Sequence, residues 1–297
     1  MRIGFIGLGI MGRPMVRNLI GAGHQVVVDD HDEASTAEME AAGAKRGGRP
    51  HEIAGQVDVV ITMLPNSPQV REVALGADGI VTGARPGLVY IDMSSIAPLV
   101  SREVAQALAE KGVAMLDAPV SGGEPKAVDG TLSIMVGGDQ AVFDQVREVL
   151  GAMGSTVTHV GDIGAGNIAK LANQVVVALN IAAVAEAFVL AEKAGVPAAA
   201  ILAAIRGGLA GSTVLEAKAP MMLAHDFTPG FRIDLHVKDL LNALDTSHDV
   251  GVPLPLTAAV LEILVGLRAA GHGQDDHSGL LRHYETLAAT SIGDSPS

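Results

Sequence analysis

Near the start of the chain, Gly7-Leu8-Gly9-Ile10-Met11-Gly12 stands between an apolar run, Ile3–Ile6, and an amphipathic stretch, Met11–Ala22. A strand that turns at once into a helix needs a glycine at the tight turn and another where helix and strand pack closely. The middle glycine leaves the backbone open to a ligand, and the helix N-terminus then faces an anion. Asp29 ends the next β-rich run, 22 residues after Gly7, where a carboxylate can accept hydrogen bonds from ribose hydroxyls. The flanking strand, the following helix and the spaced acid together predict a doubly wound α/β domain. It binds a dinucleotide through Gly7, Leu8, Gly9, Ile10, Met11, Gly12 and Asp29.

The alternation continues for about 160 residues, in line with a parallel sheet covered on both faces. Strands are predicted at Ile3–Ile6, Gln25–Asp29, Asp58–Leu64, Val89–Met93, Ala114–Ala118, Ser133–Val136 and Val157–Val160, with helices such as Leu99–Lys111 between them. After Gly161-Asp-Ile-Gly-Ala-Gly166 the pattern becomes helical. A stretch from about 167 to 194, roughly 42 Å long at 1.5 Å per residue, is apolar around most of its circumference. Further helices are expected, broken at Gly195–Pro197, Gly207–Ser212, Thr228–Gly230, Gly251–Pro255 and Gly271–Gly273. The expected organisation is a Rossmann-type domain over 1–162 and an all-helical substrate and oligomerisation domain over 163–297, joined by the long interdomain helix. Ile292–Ser297 is expected as a frayed tail.

Composition removes several classes of function. Hydrophobic residues make up 48% and charged residues 18%, enough for large cores built from small aliphatic side chains. The net charge of −13 and the lack of a Lys/Arg cluster argue against nucleic acid as a partner. No cysteine exists to form a disulfide, a thiol nucleophile or a thiolate metal site. Glycines at 4, 7, 9 and 12 argue against a signal peptide, and Asn173, Gln174, Asn180 and Glu186 interrupt the longest apolar run, which argues against a membrane span. A cytoplasmic enzyme is expected. His272, His277 and His283 lack metal-ligand spacing, so no metal is expected.

Candidate ligand contacts gather at the predicted carboxyl ends of strands. Leu64 and Pro65 follow one strand. Ser94 and Ser95 follow the next, where either hydroxyl contacts the dinucleotide or caps the helix beginning near Ala97. Asp29 and Asp30 would repel a 2′-phosphate, and no Arg or Lys lies between residues 29 and 44. NAD(H) is therefore favoured, with NADP(H) possible; Asp30 has a second reading as a solvated turn residue. Ser121-Gly122-Gly123 is either an ordinary turn or a hydroxyl and backbone N–H groups offered to an anion. Lys170, Asn173 and Gln174 share one face of the long helix. Lys170 there is either a snorkelling side chain or a proton donor.

These segments resemble the β-hydroxyacid dehydrogenase family, whose markers stand as Gly7-Leu-Gly-Ile-Met-Gly-Arg-Pro-Met15, Asp117-Ala-Pro-Val-Ser-Gly-Gly123, Gly164-Ala-Gly-Asn-Ile-Ala-Lys170 and Phe231-Arg-Ile-Asp-Leu-His-Val-Lys-Asp239. The resemblance covers nearly the whole chain. It implies a catalytic Lys170, a substrate carboxylate held by Ser121, Gly122 and Gly123, a pocket lined by Asn173 and Gln174, and cofactor contacts from Ser95 and Lys238. Many relatives have Asn-Asn where this chain has Asn173-Gln174, and often Arg where Asp30 stands. Ile61–Pro68, Ala204–Thr213 and Leu244–His248 are most similar to the tartronate semialdehyde reductase branch. That likeness implies reduction of a small carboxylate-bearing semialdehyde, tartronate semialdehyde to D-glycerate. Within the family, the alternatives are oxidation of 3-hydroxyisobutyrate and reduction of succinic semialdehyde. A homodimer or homotetramer is expected, because the long apolar helix needs cover on several sides. A 6-phosphogluconate-type enzyme would need a longer helical domain, and a non-catalytic dinucleotide sensor would have no use for Lys170.

Overall fold

Strands that are apolar on both faces need cover on both sides, and the computed structural model, which describes residues 1–293, supplies it. The chain divides into two compact units, Met1–Lys170 and the part from Leu171 onward. The division falls inside one continuous helix, Ala165–Lys193.

The first unit holds one sheet, formed by β1 (Arg2–Ile6), β2 (Gln25–Asp29), β3 (Lys45–Arg46), β4 (Val59–Thr62), β5 (Val89–Asp92), β6 (Ala114–Asp117), β7 (Val120–Ser121), β8 (Ser133–Gly137) and β9 (Thr156–Gly161). Its order is β3-β2-β1-β4-β5-β6-β8-β7, with β9 paired to β8. The run from β3 to β6 is parallel. The seven expected strands are present with ends shifted by up to two residues. The two-residue β3 and β7 are additions, too short to carry a period. β8 departs from the parallel pattern, running antiparallel to β6 and β7 and parallel to β9. The chain leaves β7, makes the short helix Gly123–Val128, and turns back at Gly130, where φ is +67°.

Successive side chains of a strand face opposite sides of its sheet. Ile3, Phe5, Val59, Ile61, Val89 and Ile91 therefore enter one core with Met15, Val16 and Leu19 of the helix Gly12–Gly21. Ile6, Val60 and Tyr90 enter the other, with Val100, Val104 and Leu108 of the helix Pro98–Ala109. The parallel register aligns Asp29, Ile6, Thr62, Asp92 and Asp117 in a row at the carboxyl edge of the sheet.

The second unit is helical, with Ala198–Ile205, Thr213–Ala224, Ile233–Asp249, Pro255–Leu267 and Leu281–Ala288 around a core that includes Phe188, Leu215, Met222, Val237, Leu240, Leu264 and Leu281. The expected breaks separate these helices. Ile292 is buried, and its N–H donates to Glu285 Oε1 at 2.9 Å, so the described start of the expected tail is tied down. Residues from Asp294 lie outside the described part. Among the described residues, Ala165–Lys193 is the one helix long and apolar enough to cross a bilayer. Of its most apolar stretch 44% is buried within the protein.

Candidate active site

The glycine turn is built as its spacing predicts. Gly7 has φ of +101°, and a Cβ there would lie 2.4 Å from the Met63 carbonyl oxygen. A Cβ on Gly12 would lie 1.9 Å from the Gly7 carbonyl oxygen. Gly9 differs: nothing lies within 4 Å of its Cβ position, and Gly9 and Ile10 are exposed. Met11 precedes the helix Gly12–Gly21 with no side-chain cap, so no side chain fills the first-turn N–H groups. An open backbone cradle beside a helix N-terminus fits a pyrophosphate.

Asp30 is not a solvated turn residue. Its side chain is 8% exposed, accepts the Leu8 N–H at 2.5 Å and the Asp32 N–H at 2.8 Å, and so holds the glycine turn against the end of β2. Asp29 stands half-buried beside it. Burial, followed by the charges of Asp30 and Glu33, raises its pKa, while Arg46 opposes the shift. Arg46 and Arg49 line the same cleft as Asp29, Asp30, Glu33 and Glu52. They follow residue 44, so the stretch free of Arg and Lys ends just before the cations that matter. Arg46 is already engaged by Glu33 at 2.8 Å and Glu40 at 3.3 Å, and Arg49 by Asp78 at 2.7 Å.

At the next strand ends, Ser94 and Ser95 separate in role. Ser94 is fully buried; its hydroxyl donates to Asp92 Oδ1 at 2.6 Å and accepts the Leu64 N–H at 2.9 Å. Ser95 is half-buried. Neither caps the following helix, which starts after Ala97 without a side-chain cap. Asp92 Oδ1 also accepts from Thr62 Oγ1 at 2.7 Å, and Thr62 meets Tyr90 Oη at 2.8 Å. Asp92 Oδ2 is buried without a hydrogen bond. The carboxyl group thus ties the turn at Leu64 and Pro65 to the turn at Ser94 and Ser95.

Asp117, at the end of β6, makes the other anchor. Its Oδ1 accepts the Gly164 N–H and its Oδ2 the Asn167 N–H, both at 2.7 Å, capping the helix that carries Lys170. Asn167 is buried, accepts the Ile96 N–H at 3.1 Å and donates to Ser101 Oγ at 3.1 Å. A Cβ on Gly166 would lie 2.4 Å from the Asp117 carbonyl oxygen, so the first helical turn rests directly on the strand backbone. Lys170, one turn further, is only 7% exposed, which rules out a side chain snorkelling to solvent. From Asp117 the chain also runs into Ser121-Gly122-Gly123, where φ is +137° at Gly122 and +70° at Gly123. One residue therefore joins the lysine helix to the serine–glycine turn.

In the second unit, Gln174 is 3% exposed and lies between two partners. Its Oε1 accepts from Asn173 Nδ2 at 2.9 Å, and its Nε2 donates to Asp239 Oδ2 at 2.6 Å. Lys238 Nζ lies 3.1 Å from Asp239 Oδ1. Asp92, Asp117 and Asp239 drew no role from sequence reasoning, although Asp92 and Asp117 share with Asp29 the signal of an acid ending an apolar strand. Asp239 had no such signal, because its partner lies 65 residues away. Among the described residues, no group of three or more His, Asp and Glu could hold a metal ion.

A family model described as the NAD binding domain of 6-phosphogluconate dehydrogenase matches residues 2–161. A second, described as NAD-binding of NADP-dependent 3-hydroxyisobutyrate dehydrogenase, matches residues 164–284. The chain belongs to the β-hydroxyacid dehydrogenase family. As a β-hydroxyacid dehydrogenase it is 43% identical over 288 residues to 2-hydroxy-3-oxopropionate reductase of Escherichia coli K12, covering 97% of this chain and 98% of that protein. It is 39% identical over 293 residues to 2-(hydroxymethyl)glutarate dehydrogenase of Eubacterium barkeri, covering 98% and 97%. The solved structure of Mycobacterium tuberculosis 3-hydroxyisobutyrate dehydrogenase with L-serine is similar at a TM-score of 0.88 and 37% identity, covering 96% of this chain and 98% of that one. The chain is thus an NAD(P)-dependent dehydrogenase or reductase of small hydroxyacids, and the relatives' names differ in substrate.

The Asp92 anchor carries a pH signature. Burial, reinforced by the Asp117 charge, raises its pKa to about 6 against the pull of its hydrogen bonds. A carboxyl whose folded pKa is raised contributes stability that is complete below its unfolded pKa and lost as pH rises through the folded one. Asp92→Asn mimics the protonated acid. Between pH 5 and 7.5 the parent protein should lose about 1–2 kcal/mol relative to this variant. Denaturant unfolding at the two pH values measures it; a constant difference between the proteins would remove Asp92 as the titrating group.

Proposed function

We propose that this protein reduces tartronate semialdehyde (2-hydroxy-3-oxopropanoate) to D-glycerate with NADH, using Lys170 as general acid. The observation that carries the reading is the placement of Lys170. It is a buried lysine one turn beyond a helix start that Asp117 holds by two hydrogen bonds, in a chain that runs from Asp117 into Ser121-Gly122-Gly123. The name of the E. coli relative, identical at 43% of positions, supports the substrate.

In this reading the Ser121 hydroxyl and the N–H groups of Gly122 and Gly123 receive the substrate carboxylate. The open backbone at Gly9 and the helix start after Met11 receive the pyrophosphate, and Leu64, Pro65 and Ser95 border the dinucleotide. A bound nicotinamide would supply the hydride for the aldehyde carbon. The Lys170 ammonium donates a hydrogen bond to the aldehyde oxygen and transfers a proton to it as negative charge develops. The carbonyl becomes a primary alcohol, and solvent returns the proton to the lysine.

Two measurements test the reading. Purified protein should consume NADH on addition of tartronate semialdehyde, and Lys170→Ala should lower kcat at least ~100-fold while retaining NADH binding. Near-normal turnover by the variant would remove Lys170 from the chemistry. The second concerns the cofactor. The cleft at the end of β2 holds Asp29, Asp30, Glu33 and Glu52 against Arg46 and Arg49, whose charges other carboxylates already engage. A 2′-phosphate adds about two negative charges there, and each unit pair at ~5 Å costs on the order of 3 kcal/mol before screening at an effective dielectric of about 20. After screening, kcat/KM should favour NADH at least about 5-fold, and Asp29→Ser should narrow the gap. Equal kcat/KM with NADPH would contradict the assignment.

A further inference from the structure

Asn173, Gln174, Asp239 and Lys238 form a chain of polar groups whose direction follows from chemistry at one end. A carboxylate paired with an ammonium only accepts hydrogen bonds. Asp239 has its Oδ1 3.1 Å from Lys238 Nζ, so its Oδ2, 2.6 Å from the Gln174 amide, must face the NH2 end of that amide. Gln174 then has its carbonyl towards Asn173, and Asn173 must answer with its NH2 end, at 2.9 Å. Amide ends look alike in electron density and are normally assigned from their partners. Here the partners leave one arrangement. The Asn173 carbonyl oxygen is the group left over, on a half-buried side chain one helical turn beyond Lys170.

We propose that Asp239 is a positioning residue that acts through Gln174 to hold the Asn173 amide with its oxygen presented as an acceptor, and that this acceptor selects substrates bearing a hydroxyl beside the reacting carbon. The proposal rests on the semialdehyde-reductase reading. It also gives Gln174 a use. Its side chain reaches both Asn173 and Asp239. The Gln174 backbone carbonyl separately meets His236 Nε2 at 3.4 Å, so changing the side chain leaves that contact in place.

The test compares 2-hydroxy-3-oxopropanoate with 3-oxopropanoate, the same molecule without the hydroxyl, at saturating NADH. Gln174→Met fills the same space without the amide and leaves the Asp239–Lys238 pair intact. Its kcat/KM for the hydroxylated substrate should fall about 5- to 10-fold further than that for 3-oxopropanoate, the worth of one hydrogen bond. Asp239→Asn, which can offer either amide end to Gln174, should show the same selective loss. Asn173→Ala should show it too, and the double variant Asn173→Ala with Gln174→Met should be no worse than Asn173→Ala alone. Equal losses on both substrates, or additive losses in the double variant, would overturn the relay. Failure of the parent protein to reduce either aldehyde would instead overturn the reading on which it rests. Thermal unfolding of each variant separates these outcomes from misfolding.

Discussion

Two hydrogen bonds from the start of the long helix to the carboxylate of Asp117 hold the helix that carries Lys170 in register with the sheet. Each oxygen takes one backbone N–H at 2.7 Å, from Gly164 and from Asn167. The acceptor is the last residue of β6, so its position is set by the sheet and not by a loop. The donors are groups that a helix start cannot satisfy internally. Removing the carboxylate would leave buried donors unpaired, which costs about 1–3 kcal/mol each. The close fit at Gly166 makes the contact still tighter, since no side chain separates helix from strand. Lys170 inherits this rigidity one turn later.

Asp92 does comparable work at the neighbouring strand. It gathers Thr62, Ser94 and, through Ser94, the Leu64 N–H. Asp30 does it at β2, through the Leu8 N–H. Carboxylates at the carboxyl ends of parallel strands lie where ligands bind, and Asp30 reads in that way from the sequence. In the fold Asp30, Asp92 and Asp117 turn towards backbone and hydroxyl donors and define the turns, while Asp29 and Ser95 beside them are half-buried.

Much of this was legible in advance for specific reasons. The glycine turn has a spacing that steric contacts enforce: Gly7 and Gly12 are each filled against backbone, and Gly9 faces open space. The strands were visible as apolar runs, and the helical breaks at Gly195, Gly251 and Gly271 coincide with positive φ. What escaped was short or long-range. β3 and β7 have two residues each and carry no period. The reversal of β8 depends on a turn that reads as an ordinary loop. The bonds of Asp117 to Gly164 and of Gln174 to Asp239 join residues 47 and 65 apart, and no local pattern announces them. Arg46 lies just beyond the stretch from 29 to 44 that holds no Arg or Lys, yet β3 brings it to the cleft beside Asp29.

In the proposed mechanism Lys170 works because Asp117 holds its helix in place. The most direct measurement is kcat for tartronate semialdehyde, at saturating NADH, in a folded Asp117→Ala variant whose NADH affinity is measured in parallel. The value should fall at least about 10-fold with Lys170 present and NADH affinity retained, since small misplacements of catalytic groups carry large rate penalties. A folded Asp117→Ala protein with the parent kcat would contradict it.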